Sequence, residues 1–275
     1  MAAPRQRVVT IGGSRLDQGL ADAPNPWPEL DLQDIYGKAE AVRTRQHVNP
    51  LKATLQIPLE VADWAAVFAD PRLPLAIDVG CGSGRFLLSL ARRLPGYNLL
   101  GLDIRGPLVR RGNEWAALLR VDARARFEIA NATVSLGALL ATYPGRLMLV
   151  TIQFPDPHFK NRHKKRRVVQ PELVHALAAN MAPGGLVFLQ SDVEEAATAM
   201  RDEFELSGSH AFRPVAASEA EVAELVQACG EPPRARLRWA EAGYLLSNPL
   251  GVRTEREVHV LQQGGSVFRM LLARQ

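Results

Sequence analysis

Short apolar runs alternate with longer amphipathic segments through the middle of this chain of 275 residues. The apolar runs predict β-strands at Leu75–Val79, Asn98–Leu102, Arg126–Ala130, Leu147–Ile152 and Leu186–Gln190. The segments that follow them predict helices at Arg85–Leu94, Pro107–Leu119, Val134–Tyr143, Pro171–Met181 and Val193–Phe204. This alternation predicts an α/β fold, in which helices cover both faces of a mostly parallel sheet.

The remaining segments frame this alternation. Residues 1–30 are rich in glycine and proline and are expected to form a disordered arm. Residues 31–275 are expected to form a single domain, in which 207–240 is an irregular insertion. Further helices are predicted at Leu32–Thr44, Glu60–Phe68 and Thr254–Gln263, and a last strand at Val267–Leu272.

Composition excludes several classes of protein. A hydrophobic fraction of 47% and a charged fraction of 23% are typical of a folded globular protein. The chain has two cysteines, Cys81 and Cys229, without disulfide or metal-ligand spacing, so we expect a reducing compartment and no metal site. No apolar run is long enough to span a bilayer and no signal-peptide core is present. We expect a cytoplasmic location, with a plastid as the alternative, and a monomer or homodimer without an obligatory protein partner.

A glycine-rich turn follows the first predicted strand. The sequence Asp78-Val-Gly80-Cys-Gly82-Ser-Gly84 leads into Arg85, where a dinucleotide-binding loop would carry its third glycine. This spacing argues against NAD or FAD, whose pyrophosphate needs close access to the helix N-terminus. S-Adenosylmethionine carries no phosphate, and its cationic groups suit a carboxylate such as Asp78. Cys81 in this loop is interpreted as a packing residue.

The next two strands also end in polar residues. The second strand ends at Asp103, where a carboxylate can accept hydrogen bonds from a ribose diol. The third is followed by Asn131, whose amide could address an adenine edge. Three polar strand ends in register predict a cofactor site at the carboxyl edge of the sheet.

The stretch after the fourth strand combines an acid with a cationic cluster. Asp156 lies between Pro155 and Pro157, and six Lys and Arg residues follow within 160–167. A strand end is where open α/β sheets place their ligands, and a basic cluster beside it attracts a polyanion. The cluster comprises Lys160, Arg162, Lys164, Lys165, Arg166 and Arg167, with His163 among them. Arg166 and Arg167 could instead begin the next helix.

These motifs together resemble the tRNA (guanine-N7)-methyltransferase family. Residues 78–84 and Asp103 are similar to the class I methyltransferase pattern, while the Pro-Asp-Pro motif with its basic run resembles this family specifically. Three further segments agree with it, at residues 45–51, 191–192 and 251–257. The family usually has Trp after the second proline, where this chain has His158 and Phe159.

The resemblance implies a seven-stranded, Rossmann-like methyltransferase that transfers a methyl group from S-adenosylmethionine to guanosine N7 in the variable loop of tRNA. It implies Asp156 as the catalytic residue, which would accept from the N1–H and N2–H₂ edge of guanine. The implied cofactor contacts are Asp78, Gly80, Gly82, Gly84, Asp103, Asn131 and Asp156. The implied substrate contacts are Lys160, Asp192, Thr254, Glu255, Arg256 and Glu257, and Thr254 with Glu257 could equally form a helix capping box. The implied RNA contacts are Arg162, His163, Lys164, Lys165, Arg166 and Arg167.

Three alternatives remain open on the sequence. An amino-methyltransferase acting on adenine N6 or cytosine N4 shares the fold, but its motif carries two prolines and an aromatic after the acid, whereas His158 follows Pro157 here. A non-catalytic RNA-binding protein on a methyltransferase scaffold is disfavoured by the intact Asp78, Asp103 and Asp156. A dehydrogenase is disfavoured by the glycine spacing.

Overall fold

The structure is a computed structural model that describes residues 48–158, 161–215 and 243–275. Its centre is one seven-stranded sheet with the order β3-β2-β1-β4-β5-β7-β6. The strands are β1 (Leu75–Val79), β2 (Asn98–Asp103), β3 (Ala125–Ile129), β4 (Leu147–Gln153), β5 (Met181–Ser191), β6 (Phe212–Pro214) and β7 (Phe268–Arg274). The first five strands pair in parallel, and β7 runs antiparallel to both β5 and β6. The predicted α/β fold with a mostly parallel, seven-stranded sheet is confirmed.

Helices follow the strands in the predicted alternation. They are α1 (Arg85–Arg93), α2 (Gly106–Leu118), α3 (Ala132–Thr142), α4 (Pro171–Asn180), α5 (Glu194–Gly208) and α6 (Glu255–Gln262). A 3-10 helix at Asn161–Arg166 connects β4 to α4 through the basic run.

The two faces of the sheet bury different apolar clusters. Alternate β1 residues Leu75, Ile77 and Val79 pack in the cluster that includes α3, α4 and α5. Ala76 lies in the cluster formed with α1 and α2, which includes the buried Trp115. Because side chains alternate along a strand, Asp78 lies on the same face as Ala76.

The helix predicted at Glu60–Phe68 is wrong. Only a 3-10 turn forms there, at Trp64–Ala66, and Asp63 caps it by accepting from the Ala65 amide at 2.8 Å. Trp64 and Phe68 are buried because their rings stack on each other and meet Tyr143 edge-on. One turn is enough to bury two aromatic residues four positions apart, so their spacing did not require a longer helix.

Several expectations fall on residues outside the described ranges. These are the arm at 1–30, the helix at Leu32–Thr44, the first residues of the 45–51 segment, Lys160, and most of the 207–240 insertion. The described part of the last region continues α5 to Gly208 and adds β6, a strand that the sequence did not predict. No helix within the described ranges combines the length and the apolar character needed to cross a membrane.

Candidate active site at the carboxyl edge of the sheet

The strand order reverses between β1 and β4, which lie side by side at the middle of the sheet. In open α/β sheets the crevice at such a switch point is where ligands bind. Asp78 and the glycine turn come from β1 on one side of it, and Asp156 follows β4 on the other. Asp103 follows on β2, next to β1. The fold therefore brings the predicted strand-end acids to one edge.

The glycine turn needs its three glycines for two different reasons. Gly80, Gly82 and Gly84 have φ values of 78°, 56° and 83°, a left-handed conformation that other residues adopt at a cost. A Cβ on Gly80 would meet no atom within 4 Å, and one on Gly82 would meet only the Arg105 guanidinium at 3.9 Å. A Cβ on Gly84 would lie 2.5 Å from the Phe127 ring. The first two glycines thus border open space that a ligand can enter, and the third allows close packing of α1.

Asp78 is a buried carboxylate with neutral hydrogen-bond donors. Its Oδ1 accepts from Thr151 Oγ1 at 2.6 Å and from Gln153 Nε2 at 3.4 Å, both on the neighbouring strand β4. Burial raises the pKa of Asp78 to about 6, and the two donors only partly oppose this effect. A cationic ligand beside Asp78 would stabilise the ionised form.

Asp103 is satisfied by donors from the loop that follows it. Its Oδ2 accepts from the Gly82 amide at 2.9 Å and from Arg105 NH2 at 2.7 Å. Its Oδ1 accepts from the Arg105 amide at 2.8 Å and from Arg105 Nε at 2.9 Å. The guanidinium of Arg105 thus binds both carboxylate oxygens that the hydroxyl donors of a ribose would approach, and its side chain is 30% exposed.

Asn131 acts as the N-cap of α3 in this structure. Its Oδ1 accepts from the Thr133 amide at 3.2 Å, and its Nδ2 lies 3.4 Å from the Pro50 carbonyl oxygen. Thr133 in turn donates to the Val168 carbonyl at 3.0 Å. The end of β3 is therefore tied both to the 45–51 segment and to the chain that follows the basic run.

These residues fit S-adenosylmethionine. A buried acid at Asp78 suits an ammonium group, Asp103 already accepts hydrogen bonds from four donors that a diol could replace in part, and the open faces of Gly80 and Gly82 leave room between them. Cys81 in the same turn is buried, and its thiol pKa is raised well above its usual value by burial and by Asp103 and Asp78. Such a thiol is a poor nucleophile.

The Pro-Asp-Pro motif is held between two strained residues. Phe154 and His158 have φ values of 49° and 43°, in the left-handed region that residues other than glycine rarely adopt. The Phe154 amide still donates to the Gln190 carbonyl at 2.8 Å, so the strand pairing continues to the edge of the motif. Asp156 between them is exposed, and strain of this kind is typical of functional sites.

Asp156 contributes to the electrostatic environment of Arg105. Burial alone would lower the pKa of Arg105, but this pKa is raised because Asp103 accepts hydrogen bonds from the guanidinium and adds negative charge beside it, to which Asp156 contributes. The Asp156 carboxylate is thus close enough to influence the guanidinium that covers Asp103.

The basic run leaves this edge as the 3-10 helix Asn161–Arg166. Gln170 holds its end, since its Nε2 donates to the Lys164 carbonyl at 2.6 Å and to the Arg167 carbonyl at 2.9 Å. Lys164 and Lys165 are exposed, and Arg166 and Arg167 are half-buried. Since α4 begins only at Pro171, Arg166 and Arg167 do not start that helix. Lys160 and the side chains of Arg162 and His163 lie outside the described part of the chain.

The predicted substrate segment Thr254–Glu257 lies at the start of α6. Thr254 caps this helix by accepting from the Glu257 amide at 3.1 Å, which is one half of the capping box. The other half is not formed, because the Glu257 carboxylate is fully buried and binds Arg269 instead, with Oε1 2.7 Å from NH2. Arg256 pairs with Asp192, and its Nε lies 3.1 Å from Oδ2.

Glu255 and Glu257, both predicted as substrate contacts, are paired with arginines of the protein in this structure. Glu255 forms an ion pair with Arg85, the first residue of α1, directly after the glycine turn. Sequence reasoning missed the partners Arg85, Arg105, Gln153 and Gln190. A hydrogen bond between a carboxylate and a polar residue in the adjacent strand, such as that between Asp78 and Gln153, can be predicted only when the register of the two strands is known.

The chain is similar in sequence to known methyltransferases. Residues 72–232 match the family model described as "Putative methyltransferase". A tRNA (guanine-N(7)-)-methyltransferase of Synechococcus sp. (strain JA-3-3Ab) is 43% identical over 90% of this chain and 91% of its own. The protein of that name from Microcystis aeruginosa is 49% identical over 84% of this chain and 97% of its own. A solved rRNA methylase from Streptococcus thermophilus is 10% identical, with a TM-score of 0.43 over 76% of this chain and 90% of that one.

Proposed function

This chain belongs to the tRNA (guanine-N7)-methyltransferase family, and from that premise we propose that it methylates N7 of a guanosine in the variable loop of tRNA, with S-adenosylmethionine as the methyl donor. The observation that carries the proposal is the arrangement at the switch point of the sheet. There the glycine turn that joins Asp78 to α1 borders open space at Gly80, Asp103 lies on the adjacent strand β2, and the exposed Asp156 with the basic run after it follows the other adjacent strand, β4.

Asp78 and Asp103 are proposed to hold the donor. When bound, S-adenosylmethionine supplies an electrophilic methyl group on a sulfonium centre. Asp78 would accept from the amino group of the cofactor, and Asp103 would accept from the ribose hydroxyls once Arg105 turns outward. Gly80 and Gly82 would give the backbone close approach, and Asn131 lies at the end of β3, where the base would lie.

Asp156 is proposed to hold the acceptor. Guanine N7 carries a free lone pair, so no base is required to remove a proton before attack. Catalysis then depends on alignment of donor and acceptor and on stabilisation of the positive charge that the purine acquires. A carboxylate that accepts from guanine N1–H and N2–H₂ serves both purposes, and the backbone strain at Phe154 and His158 supports a fixed position for it.

The basic run is proposed to bind the phosphates of tRNA. Lys164 and Lys165 are exposed on the segment that follows Asp156, and Gln170 fixes the end of this segment. Phosphate contacts of this kind position a nucleic acid without reading its sequence. A guanine in a tRNA loop becomes accessible when it unstacks, and the cationic segment would hold the loop while it does so.

The test is incubation with labelled S-adenosylmethionine and unmodified tRNA, followed by digestion to nucleosides and mass spectrometry. We expect label in 7-methylguanosine, mapped to the variable loop by cleavage of the chain at the modified nucleotide. Label in N6-methyladenosine or N4-methylcytidine would support an amino-methyltransferase instead. The absence of transfer, together with tRNA binding, would support a non-catalytic RNA-binding protein.

A further inference from the structure

The first turn of α6 carries two glutamates, and both are engaged by residues of the cofactor side of the molecule. Glu255 binds Arg85, which directly follows the glycine turn, and Glu257 belongs to a buried polar row that ends at Asp78. We propose that Glu255 and Glu257 are positioning residues that fasten the substrate segment Thr254–Glu257 to the cofactor site, so that occupancy of one site strengthens binding at the other. This inference rests on the proposed function and identifies how its two sites communicate.

The first tether connects α6 to the glycine turn. Arg85 is the first residue of α1, its side chain is only 6% exposed, and its guanidinium lies 5.2 Å from the centre of the Trp115 ring. Arg85 NH1 contacts Glu255 Oε1, while Ser83 Oγ lies 3.5 Å from Glu255 Oε2. A buried cation that lost its carboxylate would be costly. Docking of α6 is therefore linked to the conformation of the turn that borders the cofactor.

The second tether crosses the sheet. Gln153 of β4 is the register partner of Gln190 of β5, and Gln190 is the register partner of Arg269 of β7. Gln190 Nε2 donates to Gln153 Oε1 at 2.7 Å and lies 3.3 Å from Glu257 Oε2. Gln153 Nε2 in turn lies 3.4 Å from Asp78 Oδ1. A continuous series of side chains thus joins Glu257 to the cofactor acid.

The burial of this row argues that it has a purpose beyond packing. Gln190 and Glu257 have no exposed surface, and Arg269 is 6% exposed. Apolar side chains at these positions would avoid the desolvation cost of polar groups. Glu257 also accepts from Asn248 Nδ2 at 2.9 Å, and Asn248 donates to the Val252 carbonyl at 2.8 Å, so the row orders the loop that leads to Thr254.

The two tethers leave distinct groups of the segment for the substrate. Glu255 and Glu257 point their carboxylates to Arg85 and to the buried row. Arg256, whose side chain is 39% exposed and pairs with Asp192, is the more accessible charge of this segment. The binding of a guanosine to Arg256 and Asp192 would therefore be coupled to the conformation of the glycine turn through the adjacent glutamates.

The experiment measures the affinity for S-adenosylhomocysteine by calorimetry with and without saturating unmodified tRNA. In the wild-type protein we expect tRNA to strengthen this affinity by about fivefold or more, a usual range for coupled sites. In Glu255→Gln and in Gln190→Met we expect this factor to fall to about one. A purely structural role would lower the melting temperature and leave the factor unchanged.

The control is Glu205→Gln, which makes the same chemical change in an exposed ion pair with Arg201 on α5 and should keep the wild-type factor. Glu255 is 27% exposed, so its variant decides the matter even if Gln190→Met does not fold. Equal affinity with and without tRNA in the wild-type protein, or an unchanged factor in Glu255→Gln, would overturn the inference. Failure of the proposed function would instead be seen as absence of 7-methylguanosine from wild-type reactions.

Discussion

At the scale of single residues, the burial of Asp78 opposes the ionisation that a cationic ligand requires. Enclosure within β1 raises the pKa of its carboxyl to about 6, whereas an acid that binds a cationic ligand must be ionised. Because the folded state holds the proton more tightly than the unfolded chain, ionisation of Asp78 costs stability as the pH rises from 3.8 to about 6. A bound ammonium group offsets that cost.

Affinity for S-adenosylmethionine should therefore depend on pH. Below about pH 6 we expect the affinity to fall by about tenfold per pH unit, because the protonated Asp78 no longer attracts the amino group. Calorimetry between pH 5 and pH 8 (roughly the range in which the site titrates) measures this change. Asp78→Asn should bind weakly and without this dependence, and a wild-type affinity that stays constant down to pH 5 (about one unit below the pKa) would contradict the account.

Asp156 should affect turnover rather than RNA affinity. In Asp156→Ala we expect the single-turnover rate to fall by about a hundredfold or more, because the base loses both its anchor and the charge that stabilises it. The dissociation constant for tRNA, from filter binding, should stay near the wild-type value, since the phosphate contacts remain. Comparable losses in both quantities would count against Asp156 as the catalytic residue.

The sequence predicted where the acidic residues lie but not which residues of the protein they pair with. Asp78 and Asp103 could be placed because parallel strands bring their carboxyl ends to one edge. The pairing of Asp103 with Arg105, and of Glu255 with Arg85, depends on rotamers and through-space distances that no local pattern specifies. The Thr-x-x-Glu spacing allowed the capping role of Thr254 to be considered from the sequence. The pairing of the buried Glu257 with Arg269 could not be predicted, because it depends on the position of the antiparallel strand β7.

At the scale of elements, the central strands and helices lie within a few residues of their predicted bounds, because continuous apolar runs and helical periodicity are unambiguous there. The prediction was wrong at Glu60–Phe68, and just before this segment the Leu59 amide donates to Ser135 Oγ of α3 at 3.1 Å, a tertiary contact that the local pattern does not specify. It missed β6, since three residues that pair with β7 leave no periodic pattern.

The entry into α1 depends on Gly84. Gly84→Ala should lower the free energy of unfolding by about 1–3 kcal/mol or more. The alanine would have to adopt the left-handed conformation of Gly84, and its Cβ would collide with the Phe127 ring. Denaturant unfolding measures the loss. Gly96→Ala is the matched control, since a Cβ there meets no atom within 4 Å and we expect little change. Equal stabilities of the two variants would contradict this assignment.

The basic segment should determine how tRNA binding responds to salt. Replacement of Lys164, Lys165 and Arg166 by alanine should weaken binding and reduce the salt slope by about 2 to 3, at about 0.7 to 0.9 per lost phosphate contact. The slope is measured from tRNA affinity at several salt concentrations.

A control triple variant at Arg72, Arg92 and Arg146 removes the same number of positive charges. Arg72 and Arg146 lie before β1 and β4, and Arg92 lies in the last turn of α1, so all three are near the opposite edge of the sheet. We expect this variant to keep the wild-type slope. A slope that is unchanged in the first variant would remove the basic segment from the RNA interface.

At the scale of the whole molecule, the net charge is a modest +4, and the topology places a cluster of positive charges after the strand that carries the Pro-Asp-Pro motif. The sheet order places β1 and β4 together, so the turn after β1, the Pro-Asp-Pro motif and the basic segment converge at one edge. The alternation of strands and helices predicted this sheet, because its connections leave few arrangements open. The polar row from Asp78 to Arg269 could not be predicted, since it joins four strands that are distant in sequence.

The most direct test of this convergence is a crystal structure of the protein with S-adenosylhomocysteine and a guanosine-containing fragment of tRNA. We expect the amino group of the ligand at Asp78, its ribose at Asp103 with the Arg105 guanidinium displaced, and the Asp156 carboxylate on the guanine edge between the cofactor and the basic segment. A ligand bound elsewhere, or an Asp156 carboxylate directed away from the base, would contradict the account.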